Sequence, residues 1–220
     1  MKVEKVITRK MVEAALIMKQ INGEVVQRVP STVDLKHVYC ASFTNSVIDG
    51  IDTNMYYSDL SRGDGGELSN ASGSAPKFNS ISSSASLAVS TFAPGKSRLN
   101  DLTIELGVQR LSEFNKLEFE HIAQTAIPNA KTHPNLDVWL ESESSVLAVE
   151  CKFCEYLGSR TEKHALHPAY KRLAVELEMI SPWVKAIEQV TNTKGECKYQ
   201  YFDAVQILRH YFGVINSDKA

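Results

Sequence analysis

The sequence predicts an α/β fold, and three observations carry that reading. Two short stretches near the middle, residues 135–140 and 146–153, follow the two-residue period of strands or run aliphatic. Between them, residues 141–145 form a polar, turn-like cluster. Apolar residues recur at steps of three and four near both ends, which is the helical period.

Composition bounds the function. Hydrophobic residues make up 43% and charged residues 23% of the 220 residues, enough to bury a core. A net charge of −2 gives no general attraction to polyanions, so nucleic-acid affinity requires a local patch. The chain shows no apolar run long enough to span a bilayer. Its first residues, MKVEKVITRK, lack the apolar block of a signal peptide, so no membrane partner and a cytoplasmic location are expected. In that compartment Cys40, Cys151, Cys154 and Cys197 are expected to be reduced. The Cys151-x-x-Cys154 spacing fits half a metal site, but no second tight pair completes it. Buried packing is the expectation.

From the start, Val3, Val6, Ile7, Met11, Ala14, Ala15, Met18 and Ile21 predict an amphipathic helix stopped by Gly23. Residues 38–47 read equally as strand or short helix. A Gly/Ser/Asp-rich loop is expected over 58–74. Serines able to cap a helix precede Leu87, Ala88 and Phe92, and Pro94-Gly95 is expected to close that helix. A further short helix is expected over 100–111. Residues 116–124 read as a strand, with Glu118 and Glu120 on one face and Leu117, Phe119 and His121 on the other. His121 reads as a packing residue. A helix over 169–190 is expected to break at Ser181-Pro182. The last helix is expected over 199–214, with Phe202, Val205, Leu208, Tyr211 and Phe212 as its stripe.

The chemistry concentrates in the central hairpin. Side chains alternate faces along a strand. Leu136, Val138 and Leu140 therefore share one face, as do Leu147, Val149, Cys151 and Phe153. If those faces pack on a core, Asp137, Glu150 and Lys152 project together from the opposite side. Two neighbouring carboxylates repel unless a cation lies between them. Mg²⁺ suits such hard oxygen ligands, with Mn²⁺ an acceptable substitute. The Lys152 ammonium beside them can orient a water or offset charge on a phosphodiester. A solvated ion pair on a half-exposed strand is the plain alternative.

Pro134-Asn135-Leu136-Asp137 followed by Glu150-Cys151-Lys152 resembles the PD-(D/E)xK signature of the restriction-endonuclease-like nucleases, in particular a restriction-endonuclease branch. Asn135 and Leu136 separate the proline from the aspartate, a departure from the plain motif, while Glu-x-Lys matches outright. The resemblance implies a central mixed β-sheet flanked by helices. The expected division is an N-terminal helical extension over 1–57 and the nuclease core over 58–220. It implies Mg²⁺ held by Asp137, Glu150 and the Cys151 carbonyl, with Lys152 positioning the hydrolytic water. Glu67 or Glu120 is expected to supply a third carboxylate, and Gln206 matches a glutamine found on a helix lining the DNA. His210 stands where the family usually has Tyr. The implied function is a Mg²⁺-dependent endonuclease acting on DNA, in restriction, phage defence or DNA processing. The alternative is an inactive nucleic-acid-binding or structural subunit of a larger complex. The family's core usually adds a strand after the last helix, and only a polar tail follows here; the sheet is expected to be completed by the chain's own N-terminal region, by a second copy in a homodimer, or not at all, and a larger complex is a further expected partner. Phosphate contacts are expected from Arg160, Lys163, His164, His167, Lys171 and Arg172.

Overall fold

A computed structural model describes residues 11, 14, 30–33, 38–63, 66–69, 75–127, 133–154, 157, 165–176 and 180–217. The fold is α/β, as the two hydrophobic periods predict. The chain divides into two compact units, Met1–His121 with Asp137–Gly158, and Ile122–Leu136 with Ser159–Ala220. Most of the expected N-terminal helix lies outside the described residues; its Met11 and Ala14 are helical.

In the first unit, strands β1 (Pro30–Val33) and β2 (Val38–Cys40) pair antiparallel. Helix α1 (Tyr57–Arg62) occupies the start of the stretch expected to be loop. Helix α2 (Ser84–Lys96) begins where Ser83 Oγ accepts the Ser86 N–H. This satisfies one of the amide donors left open at a helix start. Pro94 does not end α2, because a proline this late forfeits a single backbone bond and the helix finishes its turn at Lys96. Ala85, Ala88, Val89 and Ala93 form the buried side of α2. Their small volume lets the helix axis approach Leu117, Phe119, Val138 and Leu140, all in the same core with Tyr56 and Phe78. Each fully buried Val, Leu or Phe side chain here contributes about 1.5–3 kcal/mol.

The helix expected over 100–111 is instead a hairpin. Strands β3 (Ile104–Leu106) and β4 (Gln109–Leu111) turn at Gly107-Val108, where Gly107 takes φ +61°. A two-residue turn with a left-handed first residue matches the twist of paired strands, and glycine adopts it without strain.

Strands β5 (Lys116–Ile122), β6 (Asn135–Glu141) and β7 (Val146–Val149) form a sheet in that order. β6 and β7 are antiparallel, with Leu140 opposite Leu147 and Val138 opposite Val149 on the core side. Glu120 interrupts β5 with φ +50°. A left-handed residue shifts the alternation of side chains. His121 therefore emerges beside Glu118 and not, as expected, beside Leu117 and Phe119.

The buried Asp59 carboxylate ties three elements of this unit together. Its oxygens accept from Arg62 at 2.5 Å, from Lys96 at 2.5 Å and from the Phe119 N–H at 3.2 Å. A carboxylate this deep is tolerated because both oxygens are charge-matched.

The second unit holds α3 (Pro168–Glu176), α4 (Ile180–Val190) and α5 (Ala204–Val214). Pro182 sits in the first turn of α4, where its missing N–H costs nothing. Leu166, Tyr170, Leu173, Ile187, Val205, Leu208 and Phe212 make its core. Helix α5 starts at Ala204 and not at residue 199, because the Asp203 side chain accepts the Gln206 N–H at 3.0 Å and fixes the cap there. Phe202 consequently leaves the predicted stripe and stands 56% exposed. Cys40, Cys154 and Cys197 are buried, and Cys151 is half-buried with its side chain against the first unit's core.

Candidate functional site

The β6–β7 ladder ends at Val138 opposite Val149, one residue short of the positions that carry the charges. Continuing that register sets Asp137 opposite Glu150 on the face away from the core. Directly opposed residues of an antiparallel pair have Cβ atoms roughly 4.5–5.5 Å apart. The second strand was expected to run to residue 153, yet β7 stops at Val149. The cause is local: the Cys151 N–H donates to Asp137 Oδ2 at 2.6 Å and is thereby unavailable to a β6 carbonyl. Glu150 and Lys152 thus stand just beyond the strand end. Lys152 Nζ donates to Glu150 Oε1, while Glu150 Oε2 is buried. The Lys152 side chain is 37% exposed and that of Glu150 12%.

The other predicted residues lie as follows. Glu67 is half-buried in a turn whose carbonyl accepts the Phe78 N–H at 3.1 Å. Glu120 is buried, with its Cβ pressed on Gly63. Gln206 is a half-buried residue in the first turn of α5, in the second unit, and His210 one turn on is buried. Arg160, Lys163 and His164 lie outside the described residues. Among the described residues, no group of three or more His, Cys, Asp or Glu side chains gathers as a metal site. The donors on offer beside the Cys151 backbone are therefore carboxylate and peptide oxygens. That set suits Mg²⁺, which commonly takes only one or two carboxylates and completes its shell with water.

The sequence did not reveal the polar cluster that shares this face of the sheet. His121 stacks on Trp139 with ring centroids 4.3 Å apart, and Trp139, two residues on from Asp137 in β6, shares its face. His121 Nδ1 lies 2.8 Å from Glu118 Oε2, and Lys116 Nζ lies 3.0 Å from the same oxygen. Burial pushes the His121 pKa below the ordinary value, an effect the Glu118 hydrogen bond and charge only partly offset. His121 is therefore neutral at neutral pH, and its Nδ1–H donates to Glu118. Burial also raises the Glu118 carboxyl, but hydrogen bonds from Lys116 and His121 outweigh it and leave the pKa lowered. The positive φ at Glu120 has no sequence signature, so this clustering was not legible. Asp59 and Lys96 were likewise missed, since each alone reads as a surface charge.

An α/β core with an aspartate set opposite Glu-x-Lys at a hairpin end has the make-up of a restriction-endonuclease-like protein. The chain belongs to the family described as restriction endonuclease associating with ARP, whose model matches residues 52–219. That match spans about three quarters of the 220 residues and gives the chain a nuclease-related function. No curated protein and no solved structure matches it. Among the described residues no helix is long and apolar enough to cross a membrane.

Proposed function

We propose that the chain is a Mg²⁺-dependent endonuclease that hydrolyses DNA phosphodiesters, in restriction, phage defence or DNA processing. One observation carries the reading: Asp137 and Glu150 occupy the first register position beyond the β6–β7 ladder, with Lys152 paired to Glu150. Asp137, Glu150 and the Cys151 carbonyl are the residues that would hold the ion, and Mn²⁺ would be accepted by the same oxygens. When bound, the ion supplies an acidified water and offsets charge on the phosphate. Lys152 is exposed enough to leave Glu150 for a phosphate oxygen or the attacking water. A water oxygen would bond to phosphorus as the bond to the leaving sugar oxygen breaks, the water's proton would pass by way of solvent to that sugar oxygen, and Lys152 would offset the added negative charge. Glu67 or Glu120 is the proposed further carboxylate, and Gln206 a proposed DNA contact.

The test uses linear, circular and single-stranded DNA with Mg²⁺ or with chelator. Cleavage by the parent chain, its loss in chelator, and its loss in Asp137→Ala and, at unchanged stability, in Lys152→Ala support the reading. Full Mg²⁺-dependent activity in Lys152→Ala overturns the role given to that residue.

The family's description, associating with ARP, favours a second reading: a non-cleaving nucleic-acid-binding or structural subunit of a larger complex. No heat of Mg²⁺ binding at millimolar concentration, together with a mass in solution that rises on adding DNA or a partner, would favour it.

A further inference from the structure

The second unit contains a cleft of about 720 Å³ lined by Lys171, Lys194 and Lys198 with His167, Asn192 and Thr193. Its charges can be assigned one by one. Lys171 pairs with Glu188 at 2.6 Å, and both side chains are about half exposed, 51% and 56%. Lys198 Nζ reaches the carbonyls of Glu188 and Gln189 at 2.8 and 3.0 Å, at the negative end of α4. Lys194 is exposed on a turn held by the Asn192 side chain. Glu196 is turned onto Asn192 Nδ2 at 2.8 Å. Three ammonium groups against the Glu188 and Glu196 carboxylates leave one positive charge in excess here, in a chain of net charge −2.

Immediately after Lys198 the chain exposes three rings, Tyr199 at 49%, Tyr201 at 57% and Phe202 at 56%. Tyr199 and Phe202 meet edge to face, 6.1 Å between centroids. Their loop is anchored at its base: the Lys198 N–H donates to the Val190 carbonyl at 2.9 Å, and the Cys197 thiol to the Phe202 carbonyl at 3.5 Å. Clustered exposed rings on a supported loop mark a binding surface.

Area helps to choose the occupant. A fully buried aromatic side chain covers about 150–250 Å², so three half-exposed ones offer roughly 300–400 Å². A stable protein interface needs about 800 Å² from each partner. Base stacking needs only one ring per base, beside cations that follow the phosphates. We propose that this cleft and the adjoining rings bind single-stranded nucleic acid, with phosphates along Lys171, Lys194 and Lys198 and bases stacked on Tyr199, Tyr201 and Phe202. A duplex keeps its bases stacked on one another and cannot use the rings. The inference rests on the nucleic-acid reading above, but on none of its catalytic residues.

Fluorescence anisotropy with labelled oligothymidylate and a duplex of equal length tests it, in chelator and with the Lys152→Ala chain so that nothing is cut. The single strand should bind more tightly than the duplex. Its affinity should fall with salt at a log–log slope of about −2 for three phosphate contacts. Tyr199→Ala, Tyr201→Ala and Phe202→Ala should each weaken it roughly fivefold or more, and Lys194→Glu should weaken it too. Tyr201→Trp should retain binding, which separates stacking from loss of folding. Parent-like affinity in all three alanine variants overturns the proposal. So does binding of a partner protein that depends on the rings while oligonucleotide affinity does not. A chain that binds oligothymidylate through the rings but cleaves no DNA keeps this inference and removes the nuclease reading. A cleaving chain whose binding ignores the rings does the reverse.

Discussion

The Cys151 N–H donates to Asp137 Oδ2 at 2.6 Å, so the carboxylate of one strand ends the hydrogen-bonded ladder of the next. The same bond fixes where the Asp137 side chain points and which way the Glu150-Cys151-Lys152 backbone leaves the sheet. Asp137→Asn keeps an oxygen able to accept that N–H but removes the charge. Its stability should change by less than about 1 kcal/mol, while DNA cleavage should fall at least a hundredfold. Asp137→Ala leaves the amide without this acceptor and should cost about 1–3 kcal/mol as well. Urea unfolding and plasmid cleavage on the same preparations separate the two effects.

Acid should weaken the fold in two stages. The His121 pKa is lowered from its usual 6.5, so below pH 6.5 the unfolded chain binds a proton that the folded chain resists. Stability is present above that pH and declines as pH falls toward the folded value. Glu118, lowered from 4.5, acts in the same direction and begins near pH 4.5. His121→Phe keeps a ring on Trp139 and should remove the upper stage and shrink the lower one, because Glu118 loses the His121 hydrogen bond and keeps that from Lys116. Denaturant midpoints measured between pH 7.5 and 5 check this, and an unchanged slope in the variant would refute it.

Removing Asp59 should be among the most damaging single changes in the first unit. Asp59→Ala takes the counter-charge from the Lys96 ammonium, a quarter exposed and still bonded to the Met55 carbonyl, and the acceptor from the Phe119 N–H. Breaking a buried pair in this way costs about 3–5 kcal/mol. The loss should appear as a lower thermal midpoint, and Asp59→Asn should recover only part of it.

Gly213→Ala opposes two effects of known size. Alanine favours a helix interior by about 1 kcal/mol over glycine. Here, however, the added methyl would lie 2.7 Å from Ala123 Cβ and 2.9 Å from Pro134 Cγ. Overpacking of this kind costs about 1–3 kcal/mol, so the variant should be less stable. A raised midpoint would show that the neighbours yield.

The hairpin and its two faces were legible because β6 opens on polar–apolar alternation, β7 runs aliphatic and a polar turn joins them, and Val138, Leu140, Leu147 and Val149 pack where parity sends them. The strand end at Val149 was not, since it depends on a side chain fourteen residues away in sequence taking the Cys151 amide. His121 was assigned to the wrong face because a left-handed glutamate leaves no mark in the residue pattern. The start of α5 was misplaced for the opposite reason: Phe202 fits the helical stripe, and the Asp203 cap after it was the stronger signal. The β3–β4 hairpin was present in the text as Gly107-Val108 between short apolar runs, and the helical reading passed over it.

The placement of the four thiols gives the molecule a built-in chemical reporter. Three are sealed in packed interiors, and the fourth, Cys151, is the residue between Glu150 and Lys152. A small alkylating reagent applied to the folded chain should therefore mark that position first; because the thiol lies on the core side of the sheet, opposite the acids, the labelling rate follows the opening of the sheet end. That local opening can then be followed by mass, with no substrate turned over and no residue replaced.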